Sequence, residues 1–115
     1  MPKKGRAGEA SAASFLEERG MRVLERNFRS RTGEVDIIAL DGETLVFAEV
    51  KAWSAYEIDA LEQALDAKKQ RKIIETSKYF LSLHREYRYM AVRFDVVFIS
   101  PGGITYLASA FTECV

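Results

Sequence analysis

Apolar residues recur along this chain with two different periods, and the switches between them mark out its elements. Ala7, Ala10, Ala12, Ala13, Phe15 and Leu16, set among Glu and Arg, have helical spacing and predict a helix over residues 7–19, with Gly20 as its C-terminal cap. Met21 to Phe28 alternates weakly and predicts a strand, followed by a turn at Ser30 to Gly33. Glu34 to Leu40 and Thr44 to Val50 are rich in Val, Ile, Leu and Phe, and Asp41-Gly42-Glu43 between them is a hairpin signal. After a connecting loop at Trp53 to Glu57, the spacing of Ile58, Leu61, Ala64, Leu65, Ile73 and Tyr79-Phe80-Leu81 predicts one long helix ending near His84. Val92 to Ile99 is an apolar run, Pro101-Gly102-Gly103 turns the chain, and Ile104 to Leu107 makes a last strand. The predicted order is α-β-β-β-α-β-β, an α/β fold with helices covering a mixed sheet, over a single domain of residues 1–115.

Composition narrows the class. In 115 residues, 48% are apolar and 11% aromatic, too many for a disordered chain, and no apolar run is long enough to span a membrane. The lone cysteine, Cys114, excludes an intrachain disulfide, and with His84 it falls short of a zinc site. The basic start, Met1 to Arg6, lacks the apolar segment of a secretory signal, so a cytoplasmic location is expected. Charge balances at 17 basic and 17 acidic residues, which on its face speaks against a nucleic-acid partner. The distribution says otherwise: eight basic and four acidic residues in 1–31, one and nine in 32–67, eight and four in 68–115.

The acidic middle contains the candidate chemistry. Alternation puts Glu49 and Lys51 on one face of the third strand. A type I′ loop would pair Leu40 with Glu43, and a type II′ loop Asp41 with Thr44. In either register Asp36 shares the face of Phe47, Glu49 and Lys51, and in the second it lies directly opposite Glu49. The other face, Val35, Ile37, Ala39, Val46, Ala48 and Val50, is wholly apolar core. An ionic cluster at one end of a buried sheet must be paired or bind a metal. Two carboxylates suit Mg²⁺ or Mn²⁺, which can polarise a phosphodiester and activate water, with the Lys51 ammonium stabilising transition-state charge. The alternative is a plain salt bridge among Asp36, Glu49 and Lys51.

Five stretches carry a resemblance: Gly8-Glu9-Ala10, Gly33-Glu34-Val35-Asp36-Ile37-Ile38-Ala39, Leu45-Val46-Phe47-Ala48-Glu49-Val50-Lys51, Lys69-Gln70-Arg71 and Arg93-Phe94-Asp95-Val96-Val97. In this order and spacing the chain resembles the bacterial YraN (UPF0102) family, regarded as endonuclease-like and distantly similar to archaeal Holliday junction resolvases of the PD-(D/E)xK nuclease superfamily. The resemblance implies a restriction-endonuclease-like core, with Asp36 and Glu49 as metal ligands, Lys51 as the catalytic lysine and Glu9 as an additional acid. It implies a Mg²⁺-dependent endodeoxyribonuclease acting on structured or branched DNA, and a homodimer, as in related resolvases. Glu34 is expected to support the turn or to stand behind the metal ligands rather than bind metal, and Asp95 to form a structural ion pair with Arg93. One departure stands out: Ala52-Trp53 follow the lysine where the family usually has a small polar residue and then arginine.

The basic segments flank this site. Lys69, Arg71 and Lys72, with Lys68, lie near the start of the long helix, and Arg29 and Arg31 follow the first strand, so each is a candidate phosphate contact. Trp53 either stacks on an unpaired base or fills a hydrophobic gap. Two rival readings of another class remain: a non-catalytic nucleic-acid-binding module, and a protein-interaction domain using Trp53 and the apolar tail from Ile104 to Phe111.

Overall fold

A computed structural model describes residues 4–52 and 66–111 of the chain. Helix α1 (Lys4–Glu18) ends where Gly20 takes a φ of +94°, a conformation that costs glycine nothing. There the Gly20 N–H donates to the Glu17 carbonyl (2.9 Å) and the Met21 N–H to that of Leu16 (3.0 Å), the paired bonds of a Schellman cap. Strands β1 (Arg22–Arg29), β2 (Glu34–Asp41) and β3 (Thr44–Ala52) follow, then helix α2 (Ala67–Leu83), a short 3₁₀ turn at Arg85–Tyr87, and strands β4 (Ala91–Ser100) and β5 (Gly103–Phe111). The five strands form one sheet in chain order, antiparallel throughout except for the parallel pair β3 and β4, so the expected α/β order and mixed sheet are both present. Among the described residues no helix is long and apolar enough to cross a membrane.

The β2–β3 hairpin adopts the second of the two expected registers, Asp41 opposite Thr44. Gly42, with φ +62°, sits in the two-residue loop, and Glu43 has no positive φ, the signature of a type II′ turn. The helix expected from Ile58 is instead capped at Asp66, whose carboxylate accepts the Lys68 N–H at 2.7 Å. With ψ at 135°, Asp66 cannot belong to a continuous helix; residues 53–65, Trp53 among them, lie outside the described residues.

Both faces of the central strands are buried. On one, Ala12, Ala13 and Leu16 of α1 pack on Ile37, Ala39, Val46, Ala48 and Val97. On the other, Ile73, Ile74 and Phe80 of α2 cover Ile38, Leu45, Phe47 and Phe94, and the Phe80 ring meets those of Phe47 and Phe28 edge-on at 5.8 and 5.2 Å. Val35 corrects the expected assignment. It joins Phe28 under α2 while Ile37, two residues on, faces α1. The alternation breaks beside Asn27, which takes a φ of +56° in β1 between the pairs Arg26–Ile37 and Phe28–Val35.

The far end is held by a buried ion network. Asp95, 1% exposed, accepts the Arg93 Nε–H at 3.0 Å, the Ser109 N–H at 2.9 Å and the Tyr106 hydroxyl, while Arg93 reaches Asp41 at 2.9 Å. Burial, then the Asp95 carboxylate, pushes the Tyr106 phenol up to about 12. Ser109 has a φ of +54° where the register of β4 and β5 shifts, so Asp95 caps a β-bulge as well as pairing Arg93, the structural role expected of it. Asp95→Ala should therefore leave both Arg93 and the bulge unsatisfied and cost about 3 to 5 kcal/mol, read as a lowered urea midpoint at unchanged m-value.

Candidate functional site

The site lies where β2 and β3 part. Their backbone pairing runs from the hairpin to Ile37 opposite Ala48. Beyond it β3 continues beside β4 as far as Ala52 opposite Ile99. In the gap the Val50 N–H donates to the Asp36 Oδ2 at 2.7 Å, so a side chain stands in for a strand. Helix α1 passes over the same place: Gly8 lies above Val50 and Ile99, whose side chains would be 3.8 Å from a β-carbon there. The next residue, Glu9, is 6% exposed.

Carboxylate oxygens of Glu9, Glu34 and Asp36 all lie within 4.8 Å of one another. This changes the expected grouping. Strict alternation sets Asp36 on the Phe47 face under α2, but its carboxylate meets Glu9 of α1, because β2 leaves β3 below Ile37 and Val35 has turned to the α2 side. Glu34, expected to support the turn or to stand behind the ligands, lies in the cluster and also pairs with Arg29 at 3.4 Å. Its two-residue spacing from Asp36 on one strand was the signal for this. Glu49 lies outside the trio but within its field, and forms an ion pair with Lys51 at 3.3 Å.

The electrostatics are those of unneutralised acids. Burial, with the charges of Glu49, Glu9 and Glu34, pushes the Asp36 carboxyl up to about 7 against the opposing pull of the Val50 N–H. Two buried carboxylate oxygens, Glu9 Oε1 and Glu49 Oε2, have no hydrogen-bond donor among the described residues, the Lys51 contact being close but poorly aligned. All the donors are carboxylate oxygens, a set suited to a hard divalent cation. Lys51 meets Lys69 from the first turn of α2. Burial disfavours the Lys51 ammonium, but its hydrogen bond with Lys69 and the Glu49 charge outweigh that and hold it above the ordinary range. Lys69, sharing the contact, is pushed down.

The other candidates fall on the α2 side. Arg71 and Lys72 are exposed on α2, and Arg31 on the turn after β1. That turn is docked on the helix. The hydroxyls of Ser30 and Thr32 reach the fully buried Thr76 at 3.1 and 3.2 Å, and a β-carbon on Gly33 would stand 3.4 Å from that of Lys72.

Asp36 makes a pH dependence with a definite sign. Its carboxyl binds a proton more tightly folded than unfolded, so it favours the fold at low pH and that contribution is lost as pH rises from about 4 to 7. In EDTA, wild type should lose up to about 1.4 kcal/mol per pH unit across that window relative to Asp36→Asn. The variant should be the more stable protein at pH 8. Urea unfolding of both at several pH values checks this; parallel profiles would refute the raised carboxyl.

Comparison with known sequences places the chain in a family. The family described as "Uncharacterised protein family UPF0102" matches residues 8–99, a span containing Glu9, Glu34, Asp36, Glu49, Lys51 and Lys69. A UPF0102 protein of Persephonella marina is 44% identical over 108 residues, which cover 94% of this chain and 92% of its own. One from Treponema denticola is 40% identical over 128 residues, covering 99% and 98%, and one from Syntrophus aciditrophicus is 46% identical over 96, covering 84% and 75%. With most of its length shared at this level, and every residue of the carboxylate and lysine cluster inside the matched span, the chain belongs to the UPF0102 family.

Proposed function

We propose that this protein is a divalent-metal-dependent DNA endonuclease, with a core of the PD-(D/E)xK type, that acts on structured or branched DNA. The observation that carries the reading is the buried Glu9 Oε1, which has no hydrogen-bond donor among the described residues, beside Glu49, whose Oε2 has Lys51 alone at 3.3 Å; the charges of both raise the Asp36 carboxyl. Leaving a buried acceptor unpaired is costly, and a cation held by Asp36, Glu9 and Glu49 would satisfy it and offset the crowded charge. Mg²⁺ or Mn²⁺ fits an all-oxygen set and, when bound, polarises a phosphodiester and activates water.

The chain's own groups supply the rest. Lys51, anchored by Glu49, presents an ammonium to the non-bridging oxygens of the scissile phosphate, where negative charge accumulates in the transition state. Lys69 at its side gives a second donor to the same phosphate. The Val50 N–H keeps the Asp36 carboxylate in one orientation, so it need not reorganise as the reaction proceeds. Arg71 and Lys72 extend positive charge along α2 for neighbouring phosphates.

Cleavage of duplex, single-stranded, flap and four-way-junction DNA with Mg²⁺ or Mn²⁺ tests the reading. Asp36→Asn and Lys51→Ala should each lose at least about 100-fold, the scale of a lost electrostatic donor or ligand. Equal cleavage by wild type and both variants would remove these residues from the reaction. Titration calorimetry with Mn²⁺ should show binding by wild type and none by Asp36→Asn; absence of heat from wild type at millimolar ion refutes the metal site.

A further inference from the structure

A groove of about 480 Å³ opens beside the carboxylate cluster, lined by Arg29, Ser30, Arg31, Thr32, Glu75 and Tyr79. One ion pair separates the two sites, because Arg29 on the groove wall bonds Glu34 of the cluster. Tyr79 is 46% exposed, and its ring is backed at 5.9 Å by Phe28. An aromatic ring fixed from behind and open in front is a stacking platform that loses little freedom when it is used. Arg31 is exposed and has no ion pair among the described residues, and the turn that carries it is pinned to Thr76. Glu75, the one acid in the lining, pairs with Lys78 at 3.6 Å, so it does not cancel the Arg31 charge.

We infer that this groove seats one unpaired nucleotide of a DNA strand, its base on Tyr79 and its flanking phosphates on Arg29 and Arg31. The inference rests on the nuclease reading for its choice of nucleic acid. The volume suits a single nucleoside, an aromatic with two guanidinium groups matches a base between phosphates, and the Arg29–Glu34 ion pair joins the groove's lining to the carboxylate cluster. Paired bases are stacked within their own duplex and cannot offer a face to Tyr79, so the groove would favour DNA whose strand leaves the helix next to the cleavage point.

The test is binding of the full chain, in EDTA so that nothing is cut, to labelled DNA carrying 2-aminopurine in a single-stranded flap or in a blunt duplex of equal length. Wild type should bind the flap at least about tenfold more tightly and quench the unpaired 2-aminopurine. Tyr79→Ala and Tyr79→Leu should lose both the preference and the quenching, whereas Tyr79→Phe keeps them; Leu preserves the contact with Phe28, so a general loss of fold is separated from loss of the ring. Arg31→Ala should weaken both DNAs and reduce the salt dependence by about one counterion. No preference for the flap, quenching that survives Tyr79→Leu, or no DNA binding at all overturns the inference. Flap preference without cleavage by the metal-loaded protein would sink the nuclease reading alone; cleavage with an indifferent Tyr79 would sink the groove alone.

Discussion

The hydrogen bond from the Val50 N–H to Asp36 sets the geometry of the charged end of the sheet. Two strands that separate expose backbone donors and acceptors that must find other partners. Here a carboxylate takes one of them, and it can do so only if it stays in the gap, where water is scarce and other acids crowd it. The same bond thus holds the strand ends at a fixed separation and keeps an acid where its charge is least comfortable. Glu9 comes to it because α1 crosses above Val50, and Glu34 because it precedes Asp36 by one strand period.

Such a cluster weakens the fold, and the remainder of the molecule offsets it. The central strands are covered on both faces: α1 seals one with Ala12, Ala13 and Leu16, and α2 seals the other with Ile73, Ile74 and Phe80. The two cores share no residue with the acid cluster. At the opposite end the Arg93 and Asp95 network shows what a fully satisfied buried charge looks like, with donors from two side chains and a backbone amide. The contrast is informative. A buried acid with its partners in place belongs to the architecture, and one without them points to something that arrives from outside.

The hairpin was legible in the chain because its signals are local: alternation on either side and a glycine in the loop that allows a two-residue turn. The cap of α1 at Gly20 was legible for the same reason. Asp36, Glu49 and Lys51 could be placed in one neighbourhood from pairing rules alone, and their charges do act on one another. What could not be read depends on tertiary context. Asn27 adopts a left-handed conformation that few residues favour, and nothing in its neighbours announces it. Across from it Val35 joins the other core and Asp36 meets Glu9 of α1. Asp66 reads as one more polar residue on an amphipathic helix until its ψ shows it to be a cap. The balanced net charge, too, conceals a separation: acids gather at the gap, while Lys69, Lys72 and Arg31 stand on the α2 side.

The type II′ loop at Gly42 and Glu43 has a consequence for how this sequence can vary. Strand side chains alternate, so a hairpin lengthened by a single residue would turn β3 over, sending Lys51 toward the α1 core and Val50 toward Lys69. Arg93 bonds Asp41 at the base of that loop and denies it the slack to absorb such a change as a bulge. The loop, some six residues from the acids it aligns, acts as an indexing device whose length is under the same constraint as the charges themselves.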